Sequence, residues 1–159
     1  MRPSWTQYFL AQALLAAMRS TCLRRQTGAV IARQNKVIAT GYNGAPRFVS
    51  HCNDDNITCG ENYRYSGSCR GSHSIANAIA QAAEIGSSIA GGTVYCTHFP
   101  CSSCAKLIIN SGITQVYYIE EQLDEMAQEL LYEAEITCAQ YMVAQSELFN
   151  ILDKVGICQ

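Results

Sequence analysis

The segment Pro100-Cys101-Ser102-Ser103-Cys104 sets two thiols three residues apart, directly after a strand-like run and at the start of a helical one. A helix N-terminus favours the thiolate, which is the form that binds a metal. His73 opens the preceding helical run in the same way, one helix and one strand earlier. Two thiolates and one imidazole leave the fourth corner of a tetrahedral zinc open to water, as a hydrolytic rather than a structural site requires. Alone, Cys101 and Cys104 fit a redox pair equally well, and His73 a helix cap. The repeated placement of both ligand groups at helix starts favours zinc.

The chain has nine cysteines, an odd number clustered near histidines, which suits metal or thiol chemistry in a reducing, cytoplasmic setting better than a disulfide framework. Cys22, Cys52, Cys59 and Cys69 lie in or beside a polar segment, with His51 adjacent. They read either as the ligands of a second, structural zinc or as thiols and disulfides. Cys96, Cys138 and Cys158 read as small hydrophobes.

The elements that must position these groups are legible in outline. Ser4 to Arg19 reads as a helix opened by Ser4, with Leu10, Leu14, Ala17 and Met18 on one stripe. That stripe favours an amphipathic helix over the apolar part of a signal peptide for Phe9 to Met18. Gly28 to Arg33 and Lys36 to Tyr42 form two β-type runs across Gln34-Asn35, a hairpin signal. Asn43 to Gly71 carries no sustained period, so it is functional or stapled by something. His73 to Ile85 (helix), Thr93 to Thr97 (strand), Cys101 to Ser111 (helix), Thr114 to Ile119 (strand), Gln122 to Glu133 (helix), Ile136 to Val143 (strand) and Ser146 to Val155 (helix) follow. This alternation predicts an α/β protein with a mixed sheet covered by helices on both faces.

At 159 residues and 48% hydrophobic content the expectation is one domain over residues 1–159. Net charge of -2 argues against an extended nucleic-acid partner and favours a small molecule. No apolar run reaches the roughly 20 residues of a membrane span, so no membrane partner is expected.

With Pro100-Cys101-x-x-Cys104 and His73 in place, the sequence resembles the zinc deaminase superfamily. The motifs Ser20-Thr21-Cys22-Leu23-Arg24-Arg25, Gly28-Ala29-Val30-Ile31, Gly41-Tyr42-Asn43-Gly44-Ala45-Pro46 and His51-Cys52 resemble the deoxycytidylate (dCMP) deaminase family. Cys69-Arg70-Gly71 and Thr97-His98-Phe99-Pro100-Cys101 resemble its bacterial and phage-like branch. The resemblance runs from about Trp5 to Tyr118. It implies a three-layer α/β/α cytidine-deaminase-like fold with a central mixed five-stranded sheet, and a homo-oligomer, dimer or hexamer, with active sites near subunit contacts. It implies a dCMP-like pyrimidine deoxynucleotide as ligand, with zinc-activated water attacking C4 of the ring and ammonia leaving. It also supports a second metal near Cys22 and Cys52. Asn43 and Asn77 would face the nucleotide, Arg24 or Arg25 its phosphate, since guanidinium matches phosphate bidentately, and Tyr118 the base. Each also has a plain structural reading: Asn43 as a turn residue, the arginines as solvated charges, Tyr118 as core.

One position departs from the family's pattern. Two residues after the zinc histidine the family carries a glutamate that moves protons between water, ring and leaving amine; here the residue is Ile75, between the equally divergent Ser74 and Ala76. A general acid-base group is worth about 10²- to 10⁴-fold in rate, so ordinary deamination should be impaired. Glu84, nine positions on, lies about 13 Å further along the same helix, too far to substitute. Glu61 and Glu120 stay open as substitutes. The alternatives are a chain altered to trap substrate, an inactive nucleotide-binding or regulatory relative, and different zinc-dependent chemistry on a related substrate.

Overall fold

The computed structural model describes residues 2–52 and 69–142. Cys59, Glu61, Cys158 and the expected helix Ser146 to Val155 lie outside the described residues.

The elements run α1 (Trp5–Ala17), β1 (Gly28–Arg33), β2 (Lys36–Tyr42), α2 (Ser74–Glu84), β3 (Thr93–His98), α3 (Ser102–Asn110), β4 (Gln115–Glu120), α4 (Glu125–Glu133) and β5 (Thr137–Gln140). The strands form one sheet in the order β2-β1-β3-β4-β5. β1 pairs antiparallel with both β2 and β3, whereas β3–β4 and β4–β5 are parallel, so the sheet is mixed and five-stranded as expected.

Alternation along the strands divides the core into two layers. Ala29 and Ile31 of β1 join Val94, Cys96, Val116 and Tyr118 in packing against α2, α3 and α4. Val30 and Ala32 point the other way, joining Tyr95 and Ile119 under Phe9, Leu10 and Leu14 of α1. Buried on both faces, β1 is apolar throughout except at its end, which is why it sits inside the sheet.

Local chemistry sets the ends. The Ser4 hydroxyl accepts from the Gln7 N–H (3.2 Å) while the Gln7 side chain accepts from the Ser4 N–H (2.9 Å), a reciprocal cap that starts α1. Gln34 and Asn35 both have positive φ (51° and 59°), the turn that matches the twist of a two-residue hairpin. Gly86 and Gly112, at φ 68° and 73°, stop α2 and α3.

Three boundaries differ from expectation. Met18 leaves the apolar stripe: it follows the end of α1 and is 66% exposed, while Phe9 and Ala13 complete the buried face. α4 begins at Glu125, because the Asp124 side chain accepts from the Ala127 N–H and fixes the start there. β5 stops at Gln140, being an edge strand with register only to β4. No helix among the described residues is long and apolar enough to cross a membrane.

Candidate metal centre

β2 leads out to Gly44, and the chain returns beside it: Gly44 and Ser72 exchange backbone hydrogen bonds of 3.1 and 2.8 Å. His73 follows at once as the residue capping α2. α2 lies close on β2, since a Cβ at Gly41 would fall onto the Ser74 carbonyl oxygen and within 2.5 Å of the Ala78 nitrogen. Asn77 Nδ2 donates to the Tyr42 carbonyl at 2.7 Å, tying the first turn of α2 to the same strand.

Cys101 occupies the N-cap position of α3 as His73 does that of α2, and neither side chain makes a capping hydrogen bond. Asp124 fixes this tip from outside: Oδ2 accepts from the Ser102 N–H at 2.8 Å and Oδ1 from the Ala127 N–H at 3.0 Å. One carboxylate thus satisfies the first turns of two helices, α3 and α4. Those two backbone donors hold its pKa below the ordinary carboxylate value.

The two tips bring His73 Nδ1 within 3.2 Å of Cys101 Sγ and 3.5 Å of Cys104 Sγ. The ligand atoms of His73, Cys101 and Cys104 all lie within 4.8 Å of one another, the one such three-residue group among the described residues. A tetrahedral zinc at usual bond lengths separates a nitrogen and a sulfur ligand by about 3.5 Å, so donor set and spacing both fit the metal. Cys104 is buried, Cys101 half-buried and His73 exposed, which leaves one side of the trio open. A hydrogen bond from Cys104, then one with His73, pulls the Cys101 pKa well below the ordinary thiol range. The Cys101 hydrogen bond raises His73 in turn. The shift favours the Cys101 thiolate, the form in which a cysteine binds a metal.

The trio opens into a cavity of about 380 Å³, whose wall includes Arg24, Arg25, Asn43, Ile75, His98 and Gln122. Cys22, Cys52 and Cys69 share that wall. No carboxylate lines it among the described residues, so the two arginines give the cavity positive charge in a chain whose net charge is -2. Of the acids considered as substitutes, Glu61 lies outside the described residues, Glu84 takes Arg47 in two hydrogen bonds of 2.6 and 2.8 Å, and Glu120 Oε2 meets His98 Nε2 of the wall at 2.9 Å.

Ile75 is 3% exposed, lines the cavity and packs into the core beneath it. Asn43 lines the cavity with its amide committed to the chain: Oδ1 accepts from the Ser20 hydroxyl (2.6 Å) and the Thr27 N–H (2.7 Å), and Nδ2 donates to the Arg25 carbonyl (2.7 Å). It shapes the 20–27 loop that presents Arg24 and Arg25. Asn77 and Tyr118 are not on the described wall. Asn77 serves the Tyr42 carbonyl, and Tyr118 sits in the core with its hydroxyl on Glu121 Oε2 (2.8 Å). Tyr118 reaches the wall through Phe99, which meets it edge-on with ring centroids 4.9 Å apart.

Sequence reasoning passed over Asp124, although an Asp directly before a helical run is a capping signal. It also passed over Gln122 and the His98–Glu120 pair, whose partners are distant in sequence. His98 Nδ1 sits 2.9 Å from Thr97 Oγ1, which itself accepts from the Gly28 N–H at 3.1 Å, so both ring nitrogens are engaged by protein.

Comparison with known proteins agrees with this geometry. Residues 3–120 match the family described as the cytidine and deoxycytidylate deaminase zinc-binding region. ComE operon protein 2 of Bacillus subtilis is 41% identical over 140 residues, covering 87% of this chain and 72% of that protein. The deoxycytidylate deaminase of Saccharomyces cerevisiae is 39% identical over 89% of this chain, which spans only 46% of the yeast protein. That of Mycobacterium phage D29 is 38% identical over 76% of this chain and 98% of its own length. The crystal structure of the cyanophage S-TIM5 dCMP deaminase in complex with dCMP and dUMP superposes with a TM-score of 0.74 at 25% identity, covering 89% of this chain and 99% of that one.

Proposed function

This chain belongs to the cytidine and deoxycytidylate deaminase zinc-binding family, and from that premise we propose that it is a dCMP deaminase-type protein that holds zinc and a pyrimidine deoxynucleotide but turns over poorly. The observation that carries this reading is the convergence of His73, Cys101 and Cys104 on a cavity that also presents Arg24 and Arg25. Zinc on these three ligands would supply Lewis acidity and lower the pKa of water to about 7. The arginines would take the nucleotide's phosphate, with Asn43 fixing the loop that carries them. Phe99, backed by Tyr118, would wall the base.

Hydrolysis of dCMP to dUMP also needs a group to carry protons to the ring and the departing amine. Ile75 stands at the family's glutamate position and can do neither. No described carboxylate on the wall replaces it, and His98 has both nitrogens occupied. The same absence favours a second reading, a nucleotide-binding or regulatory relative without turnover. A new product from a related substrate would instead establish altered zinc chemistry.

The Cys69-Arg70-Gly71 and Thr97-to-Cys101 motifs support the bacterial and phage-like branch. Cys22, Cys52 and Cys69 line the cavity without forming a second three-donor group at ligand spacing, so a second zinc on them together with Cys59 is a proposal only. We further place the protein in the cytoplasm as a homo-oligomer, dimer or hexamer, which light scattering would check.

The deciding experiment measures zinc content, dCMP binding and dUMP formation for the chain and for Ile75→Glu. Zinc and dCMP binding with turnover only in the variant would support the reading. Absence of zinc, or of dCMP binding by zinc-loaded protein, would defeat it.

A further inference from the structure

Two loops meet at the cavity mouth through residues 97 apart in sequence: Arg25 Nη1 donates to Gln122 Oε1 at 2.8 Å, and both residues line the cavity. Each end of this bridge rests on fixed backbone. On one side the Arg25 carbonyl accepts from Asn43 Nδ2. On the other, Gln122 lies between Glu120, held to His98 at 2.9 Å, and Asp124, held to the tips of α3 and α4.

The chemistry of the bridge matters as much as its position. An amide oxygen is neutral, so it holds the guanidinium over the cavity without cancelling its charge, as a carboxylate would. It takes one of the five guanidinium N–H donors and leaves the others for an incoming oxyanion. A side chain held in place before binding costs less to order on binding.

From this we infer that Gln122 sets the cavity's selectivity for a 5′-monophosphate over the unphosphorylated nucleoside, by holding Arg25 at the mouth as an uncancelled positive charge. Gln122 is a positioning residue here, acting through Arg25. The inference rests on the reading of the cavity as a pyrimidine deoxynucleotide site.

The test is calorimetric titration of the zinc-loaded full chain, and of Gln122→Glu and Gln122→Ala, with dCMP and with deoxycytidine. The native chain should prefer dCMP. Gln122→Glu should weaken dCMP about tenfold or more, since a like charge faces the phosphate, with deoxycytidine affinity unchanged. Gln122→Ala should weaken dCMP about 2- to 10-fold, again without touching deoxycytidine. Equal weakening of both ligands, or none, would overturn the role of Gln122 and leave the nucleotide reading standing. A native chain that binds neither ligand would overturn that reading and this inference with it.

Discussion

Cys101 Sγ stands 3.2 Å from His73 Nδ1, although the two residues are 28 apart in sequence and each stands at the N-terminus of a different helix. The contact exists because both helix starts end on the same cavity, and a third donor, Cys104, comes in from the first turn of α3. Removing any one donor leaves too few to hold a structural or catalytic zinc. His73→Ala, Cys101→Ser and Cys104→Ser should each lower zinc content by about one ion per chain relative to the parent, measured by elemental analysis of purified protein. Undiminished zinc in all three would place the metal elsewhere.

Ile75→Glu exchanges a buried apolar side chain for a proton carrier at the cavity wall. Turnover of dCMP to dUMP should rise by about 10²- to 10⁴-fold. The same change places a carboxyl in the core layer under α2, so chemical denaturation should show a loss of about 2 kcal/mol or more. Stability lost without any gain in product formation would refute the assignment of position 75.

Asn43→Ala removes an amide that satisfies Ser20, Thr27 and Arg25 together. With two backbone partners left unmatched, the expected loss is about 2 kcal/mol. Because the 20–27 loop carries both arginines, dCMP affinity should fall as well. Intact stability alongside lost binding would instead make Asn43 a direct ligand contact.

Asp124 supplies a prediction about acid. Its carboxyl pKa is depressed by the Ser102 and Ala127 N–H groups, so its contribution is complete above the ordinary carboxylate value of 3.8 and disappears as pH falls through its lower folded value. Asp124→Asn should melt at lower temperature than the parent near neutral pH, and the gap should close toward pH 2. A gap that stayed constant from pH 7 to pH 2 would sink this account.

Local signals made much of this protein legible. The Ser4 cap, the Gln34-Asn35 turn and the helix stops at Gly86 and Gly112 depend on neighbours in sequence, and the structure forms each of them. His73 with Cys101 and Cys104 was readable because residue type and helix-start placement coincide. What escaped depends on contacts between distant segments. The sheet order, with antiparallel β1 against β3, cannot be read from periodicity. Nor can the dual service of Asp124 to α3 and α4, or the engagement of His98 by Thr97 and Glu120. Asn77 and Tyr118 show the converse: polar groups near a site that spend their hydrogen bonds on the scaffold.

Gly41 has one more effect. With the backbone of α2 occupying the volume a methyl group would need, the helix is seated against β2 by backbone contact rather than by deformable side chains. The backbone that carries the His73 imidazole is therefore positioned by the scaffold. Cation uptake would then be capture at a helix tip already seated rather than a folding step, and chelation should strip the ion while the amide-exchange protection of this helix persists.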